Sequence, residues 1–461
     1  ALGREGAHSM ARILHAGGDA TGMHIELALT EQVGRSTQNQ SPITVLEHTL
    51  ATVLIIEDGQ VKGLETINSN TGQKCSFTGR FVVLATGGAG QLFRYTTNPS
   101  VATGDGVALA FRAGAQIMDM EFYQFHPTAF RMTGSDPFLM SEAMRGEGAV
   151  LRNQEGSALM ADYHPMADLA PRDVVSRAIA AEMEKAGSDE VFLDLSHLPS
   201  QVILGRFPNI HHFCQSHGLD ITKDLIPVAP AAHYMMGGID TDITGATALP
   251  GFYAAGECAC VSINGANRLG SNSLTELLVF GRRAGTAAAQ FALENTVLDT
   301  ALLELQASDE QERIRRNFFC KDGGTERIFT LRKEMNETME TSVGIYRSEK
   351  SLRETRDKIK ELKDRFSNIN MEDKSLNFNT ELTTALELEF MLDVAEAIVY
   401  SALDRTESRG SHQRTDFPER DDEKFLKHSL VYQGDDEPRI DYKDVVITKW
   451  PPGERVYGKE G

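Results

Sequence analysis

Residues 256–281, GECACVSINGANRLGSNSLTELLVFG, set Arg268 between glycines and small polar residues on a turn that runs into the apolar pattern Leu274 to Gly281. Glycines permit positive φ and close backbone approach, and the amides that open a following helix suit an acceptor atom of a ligand. Arg268 adds a fork of donors matched to a carboxylate. This stretch therefore brings a backbone against a large flat cofactor and aims one cation at an anionic substrate. The bland alternative is a set of turn glycines beside a surface charge.

Upstream, Arg80-Phe-Val-Val-Leu-Ala-Thr86 reads as a short β-branched strand closed by Gly87-Gly88-Ala89-Gly90. A buried parallel strand ending in a glycine turn is where doubly wound sheets bind ligands. The chain returns to that sheet at Leu249-Pro-Gly-Phe-Tyr-Ala-Ala-Gly256. No complete GxGxxG occurs in the 461 residues, and the sequence opens at Ala1-Leu2-Gly3 in the middle of a motif. The expectation is an N-terminal βαβ unit, at least about 30 residues long, outside this sequence.

A length of 461 residues exceeds one core and predicts two or three domains. With 41% apolar and 24% charged residues, no part needs to be disordered on composition. The net charge of −20 argues against nucleic acid, since phosphate binding needs a basic surface. The sequence has no run of 18 apolar residues to insert in a membrane and no secretory signal at its start. Five scattered cysteines fit reduced thiols and a cytoplasmic location. Cys258 and Cys260 lack the CxxC spacing of metal ligands, so no metal site is expected and any cluster belongs on a partner.

Residues 1–105 read as sheet-forming, with the alternating Ala51 to Ile56 and a hairpin turn at Asp58-Gly59. Residues 115–235 mix helices and loops, including a helix from Pro171 to Met183 with proline in its first turn. Beyond 297, Met335, Met339 and Val343 share one helical face, as do Leu352, Ile359, Leu362 and Phe366; both read as bundle core. The charged, proline-bearing segment 416–461 reads as a small β-rich cap or tail.

Between residues 121 and 274 lies a set of charged and titratable residues, each beside glycine, proline or small residues. His126 sits in Glu121-Phe-Tyr-Gln-Phe-His-Pro-Thr128, and His233 in Ala231-Ala-His-Tyr-Met-Met-Gly-Gly238. In Ser141-Glu-Ala-Met-Arg-Gly-Glu-Gly148, Glu142 and Arg145 stand at i,i+3, close enough to pair on a helical turn. Arg172 follows Pro171. Singly, each reads better as a packing or salt-bridge residue. Together, Arg172, Arg268, His126 and His233 make a pocket too cationic for a structural core, and one that holds a dianion.

The motifs ATGGAG (85–90), FHPT (125–128), SEAMRGEG (141–148), LAPRD (169–173), AAHYMMGG (231–238), AAGE (254–257) and NGANRLGSNSL (264–274) resemble the succinate dehydrogenase, fumarate reductase and L-aspartate oxidase flavoproteins. The resemblance covers nearly the whole chain. It implies an α/β fold: a doubly wound FAD-binding domain, interrupted by a capping domain and followed by a C-terminal helical domain. The implied boundaries are 1–114 and 233–296 for the FAD-binding parts, 115–232 for the cap, 297–415 for the helices and 416–461 for the tail.

The resemblance also implies the chemistry. A four-carbon dicarboxylate lies against flavin N5 and exchanges a hydride with it, while a proton moves at the neighbouring carbon. Arg268, His126 and His233 clamp the carboxylates with help from Ser141, where relatives carry threonine. Arg172 matches the proton donor and acceptor, fed through Glu142 and Arg145. FAD contacts carry over to Thr86, Gly87, Asp105, Glu257, Ser273 and Leu274.

On substrate the two ends disagree. Gly3-Arg-Glu-Gly-Ala-His-Ser9 resembles the aspartate oxidases, where this glutamate, Glu5, faces an amino group; succinate and fumarate enzymes carry phenylalanine there. Pro418 to His428, Ile447 to Tyr457, Cys258 to Val261 and Thr275 to Arg282 resemble complex II flavoproteins, which dock an iron–sulfur subunit. Weighting the pocket over the tail gives L-aspartate oxidase, forming iminoaspartate for NAD synthesis. The alternatives are a fumarate reductase or succinate dehydrogenase flavoprotein subunit, peripheral to the inner membrane, and an inactive fragment or binding scaffold.

Overall fold

The computed structural model describes residues 2–38, 43–295, 301–321 and 323–453. Strands β1 (Leu2–Gly3) and β2 (Ile13–Leu14) pair and lead into helix α1 (Thr21–Gln38), followed by the meander β3 (Thr49–Glu57), β4 (Gln60–Asn68) and β5 (Lys74–Thr78). At the β3–β4 turn, Asp58 and Gly59 have φ of 49° and 72°, the two positive values that suit a type I′ turn. Helix α1 departs from the sheet-forming expectation. Its Met23, Leu27 and Leu29 are each more than half exposed, so its apolar residues mark no core face and give no helical stripe to read.

Next come β6 (Val82–Leu84), α2 (Asp105–Arg112), β7 (Ile117–Met118), β8 (Tyr123–Phe130), α3 (Glu142–Gly146), β9 (Val150–Arg152), α4 (Arg172–Ala186), β10 (Val191–Asp194), α5 (Ser200–Arg206), α6 (Pro208–Ser216), β11 (Ile226–Met235), β12 (Gly238–Asp240), β13 (Phe252–Ala254) and β14 (Ala259–Cys260). β6 and β13 pair in parallel, with Val82 opposite Phe252. Strands β8, β11, β10 and β9 form an antiparallel sheet in that order, and all eight residues of β8 are buried. Pro171 takes the N-cap of α4, one position before the first turn where the sequence puts it. Asp19 accepts from the amides of Asn209 (3.3 Å) and Ile210 (3.0 Å), so a distant segment satisfies the amides that open α6.

The chain ends with α7 (Asn272–Glu294), α8 (Ala301–Ile314), α9 (Ile328–Ser342), α10 (Glu349–Phe366), α11 (Thr380–Asp404), β15 (Lys427–Tyr432) and β16 (Arg439–Asp444). Met335, Met339, Val343, Leu352, Ile359 and Leu362 are buried, as their spacing predicts, and Phe366 packs at the edge of the same core. That core runs from α2, β6 and β13 into α9, α10 and α11, while a second core fills the region around β9, β10 and α4. The expected start of the helical part at 297, and residues 454–457 of the tail motif, fall outside the described residues.

The C-terminal segment is not a separate cap. β15 pairs with β7, Leu430 opposite Met118, and extends the five-stranded sheet β14-β12-β7-β15-β16. His428 Nδ1 and Asp119 Oδ2, 2.7 Å apart, fasten it there. No described helix is long and apolar enough to cross a membrane.

Candidate active site

The two-residue period of a strand puts Gln124 and His126 of β8 on one face. Across the ladder, Ala231 faces His126, Ala232 faces Phe125 and Tyr234 faces Gln124, which leaves His233 as the extra residue of a bulge. A bulge re-aims a side chain; here the His126 and His233 rings meet edge to face, 5.0 Å apart. The Thr128 amide donates to His126 Nδ1 (3.2 Å), so in the neutral ring Nε2 carries the proton. Burial first, and then Arg172, hold both imidazoles well below the ordinary histidine range. Both are uncharged donors at neutral pH.

Ser141 is the N-cap of α3, its hydroxyl oxygen accepting from the Ala143 amide at 3.3 Å. Glu142 accepts from Arg172 Nε at 2.7 Å and from Arg145 Nη2 at 3.3 Å, so the i,i+3 pair expected from the sequence exists and is fully enclosed. Burial alone would raise the Glu142 carboxyl, but the guanidinium groups of Arg172 and Arg145 outweigh it and hold it low. Arg145 passes on to the Asp168 carbonyl at 2.7 Å. Gln124, which the sequence reading left out, accepts from Arg172 Nη1 (2.9 Å) and donates to the Arg268 carbonyl (2.7 Å). Its signal was positional, two residues before His126 on one strand face. Arg172 Nη2 is the guanidinium nitrogen left without a hydrogen bond among the described residues.

The loop 264–271 closes the third side. Arg268 is 3% exposed and stacks over the Tyr234 ring at 4.2 Å; among the described residues its one hydrogen-bond contact is to the Leu269 carbonyl at 3.4 Å, and Nε is unpartnered. Burial, then Arg172, lower it to about 10, which still leaves it charged at neutral pH. A Cβ on Gly270 would collide with the Glu5 and Glu142 carboxylates, so glycine here makes room for side chains. Ser271 donates to Glu5 Oε1 (2.9 Å), while Glu5 Oε2 is enclosed and unpaired. His8 Nδ1 accepts from Arg12 (3.0 Å), so its Nε2 donates to the Gly270 carbonyl (3.2 Å) and pins the loop.

These groups enclose a cavity of about 210 Å³ lined by Glu5, His126, Ser141, Glu142, Arg172, His233, Arg268, Ser273 and Leu274, with His15, Asp19 and Arg206 also on its walls. Arg145 lies behind Glu142 and does not line it. The volume is below the usual 300 Å³ or more of drug-sized pockets, about right for a small metabolite. A buried guanidinium with unused donors, beside two neutral donors, calls for an anion.

Thr86, Gly87, Asp105 and Glu257 form a second group, where the loops after β6 and β13 meet the start of α2. A Cβ on Gly88 would collide with the Glu257 carboxylate and one on Gly106 with Thr86 Oγ1, so glycines draw these segments together. Gly87, with φ of 76°, faces open space. Burial pushes Glu257 up to about 7 while it accepts from the Met235 amide at 2.9 Å, and Asp105 accepts from the Thr103 hydroxyl at 2.7 Å. Leu277 and Leu278 of α7 stay 42% and 44% exposed, Leu277 beside Gly256. An apolar wall with backbone polar groups at the ends of parallel strands fits a flavin dinucleotide.

Residues 1–274 match the FAD binding domain family, and residues 332–457 match the fumarate reductase flavoprotein C-terminal family. The chain is 46% identical over 462 residues to a fumarate reductase flavoprotein subunit of Mycobacterium tuberculosis, covering 96% of this chain and 78% of that protein. The chain belongs to the fumarate reductase, succinate dehydrogenase and L-aspartate oxidase flavoprotein family. An L-aspartate oxidase of Nostoc is 40% identical over 453 residues, 94% of this chain and 75% of that one. The structure superposes on the FrdA chain of Escherichia coli quinol fumarate reductase with a TM-score of 0.93 at 39% identity, covering 100% of this chain and 81% of that one. Mycobacterium smegmatis Sdh1 gives 0.82 at 37% identity, covering 97% and 76%. As a member of this flavoprotein family the chain is an FAD-dependent oxidoreductase.

Proposed function

We propose that this flavoprotein interconverts fumarate and succinate, as the flavin-bearing subunit of an enzyme that also contains an iron–sulfur subunit. The observation that carries the dicarboxylate reading is Arg268: a buried cation with unused donors, facing Arg172 across a cavity that also holds two neutral imidazoles. Bound FAD would supply the hydride acceptor and donor, held by the segments bearing Thr86, Gly87, Asp105, Glu257, Ser273 and Leu274.

The chain's own residues do the rest. Arg268, His126 through Nε2–H, and His233 bind the two carboxylates, and Ser141, whose oxygen is engaged by the Ala143 amide, turns its hydroxyl proton to the ligand. Arg172 Nη2 delivers or takes the proton at the carbon next to the one that exchanges hydride. Glu142, held ionised between two arginines, restores that proton through Arg145.

Glu5 distinguishes this reading from L-aspartate oxidase, and the preference taken from the sequence reverses. Glu5 lines the cavity, with one oxygen taken up by the Ser271 hydroxyl at 2.9 Å and the other buried without a partner among the described residues. Similarity to the fumarate reductase subunit of M. tuberculosis, above that to the Nostoc oxidase, supports the same order. The second reading keeps one observation: Glu5 Oε2 has no partner, which an ammonium would supply after a small rotation.

The test is anaerobic flavin bleaching by succinate and by L-aspartate, with reoxidation by fumarate. Bleaching by succinate together with reoxidation by fumarate supports the proposal. Bleaching by L-aspartate alone overturns it. A subunit of this kind lies at the membrane surface through its partners.

A further inference from the structure

We propose that Asn267 is a positioning residue that sets the orientation of Arg172 through a closed ring of side chains. This rests on the functional reading above for its kinetic consequence, though not for its geometry.

Asn267 Nδ2 donates to Asp173 Oδ1 at 2.7 Å, and Gln124 Nε2 donates to Asn267 Oδ1 at 2.8 Å. Gln124 Oε1 in turn accepts from Arg172 Nη1 at 2.9 Å. Asp173 follows Arg172 in the first turn of α4, so the ring closes on itself. Its polarity runs one way. A carboxylate accepts only, so Asp173 obliges Asn267 to present its NH₂ there and its oxygen to Gln124. Gln124 must then turn its own NH₂ to Asn267, which leaves its oxygen, the acceptor a guanidinium needs, on Arg172. Without Asn267 the Gln124 amide keeps the Arg268 carbonyl as the one other acceptor, among the described residues, that holds its NH₂ away from the cation.

The ring also fixes a distance. Asn267 is the chain neighbour of Arg268, whose carbonyl takes a second bond from Gln124 Nε2 at 2.7 Å. One amide therefore holds both the group that moves the proton and the backbone of the group that clamps the carboxylate. These two arginines come from α4 and from the loop before α7, elements that no strand pairing joins.

The experiment uses the FAD-loaded protein and three variants: Asn267→Asp, Asp173→Asn, and the two combined. The first sets two carboxylates face to face. The combination exchanges donor and acceptor and rebuilds the ring with the same polarity toward Gln124. Fumarate reduction by a reduced viologen should lose about 100-fold in kcat in Asn267→Asp, the scale of a misplaced catalytic group, with flavin content unchanged. The combined variant should return to within about threefold of the parent, the coupling expected of two residues in direct contact. Amide hydrogen exchange over residues 172–175 should quicken in Asn267→Asp and slow again in the combination.

Near-parental kcat in Asn267→Asp, or a combined variant no better than the worse single one, overturns the proposal. Should the parent protein turn over neither fumarate nor succinate, the functional reading falls instead. The exchange measurement then decides the ring by itself, and unchanged exchange in Asn267→Asp refutes it.

Discussion

Two buried arginines, Arg268 in the cavity and Arg405 beneath the C-terminal strands, show how the same side chain is used in opposite ways. Arg405 has all three nitrogens engaged: Nε with Glu121, Nη1 with Glu407 (3.0 Å) and the Phe425 carbonyl (2.9 Å), Nη2 with the Lys427 carbonyl (2.8 Å). Burial opposes its charge, but the Glu121 carboxylate prevails and raises its pKa. Arg268 is as deeply enclosed, yet among the described residues no carboxylate is hydrogen-bonded to it, and burial lowers it. A satisfied buried charge is structural. An unsatisfied one awaits a ligand.

The sharpest test of that contrast is at Arg172, which has both characters: two nitrogens engaged and one open. Arg172→Lys should lower kcat by about 10³-fold, within the span of general acid–base effects, with flavin absorbance and melting temperature nearly unchanged. Arg405→Ala should do the reverse. Removing one partner of an enclosed ion pair costs about 3–5 kcal/mol, so thermal unfolding should fall sharply, while any folded protein keeps its KM for fumarate.

Arg268→Gln is next, with KM for fumarate rising about 10- to 100-fold from the loss of charge-assisted bonds and little loss of stability. Glu5→Gln should change fumarate turnover least, by less than about threefold, because fumarate carries no ammonium for the carboxylate to meet and the amide keeps the shape of the side chain. A large loss there would return the amino-acid reading to first place.

The histidines give a pH signature of known sign. His126, His233 and His412 are all held well below the ordinary range, chiefly by burial. Below about pH 6.5 the unfolded chain takes up protons that the folded one refuses, so stability should fall with acid, as denaturant titrations would show. Fumarate KM should carry no inflection from these rings between pH 6 and 8. His428 behaves oppositely: burial would lower it, but the Asp119 carboxylate raises it. Its contribution is complete below the unfolded value and lost as pH rises through the folded one, so exchange in β15 should quicken on the alkaline side.

Much of this was legible locally. Asp58-Gly59 announced its turn, Pro171 its helix, and the faces of α9 and α10 their core, because each signal lies within a few residues of its effect. Glu142 and Arg145 paired as their spacing requires. What stayed hidden depends on distant pairing: β15 joins β7 across some three hundred residues, and nothing near Leu430 names Met118 as its neighbour. Glu5 shows the same limit. Its acidic character was plain, but the Ser271 hydroxyl that takes up one of its oxygens and the Gly270 gap that makes room for it lie far along the chain.

The bulge at His233 carries a consequence for how the molecule comes together. The two imidazoles meet only after β8 and β11, separated by about a hundred residues of intervening chain, have paired with the correct slip in register. Contacts of such long sequence separation form slowly, because the loop must close before the pairing rewards it. During refolding, helical signal and even flavin capture should therefore return ahead of turnover, and a chain caught one residue out of register would be folded, yellow and inert.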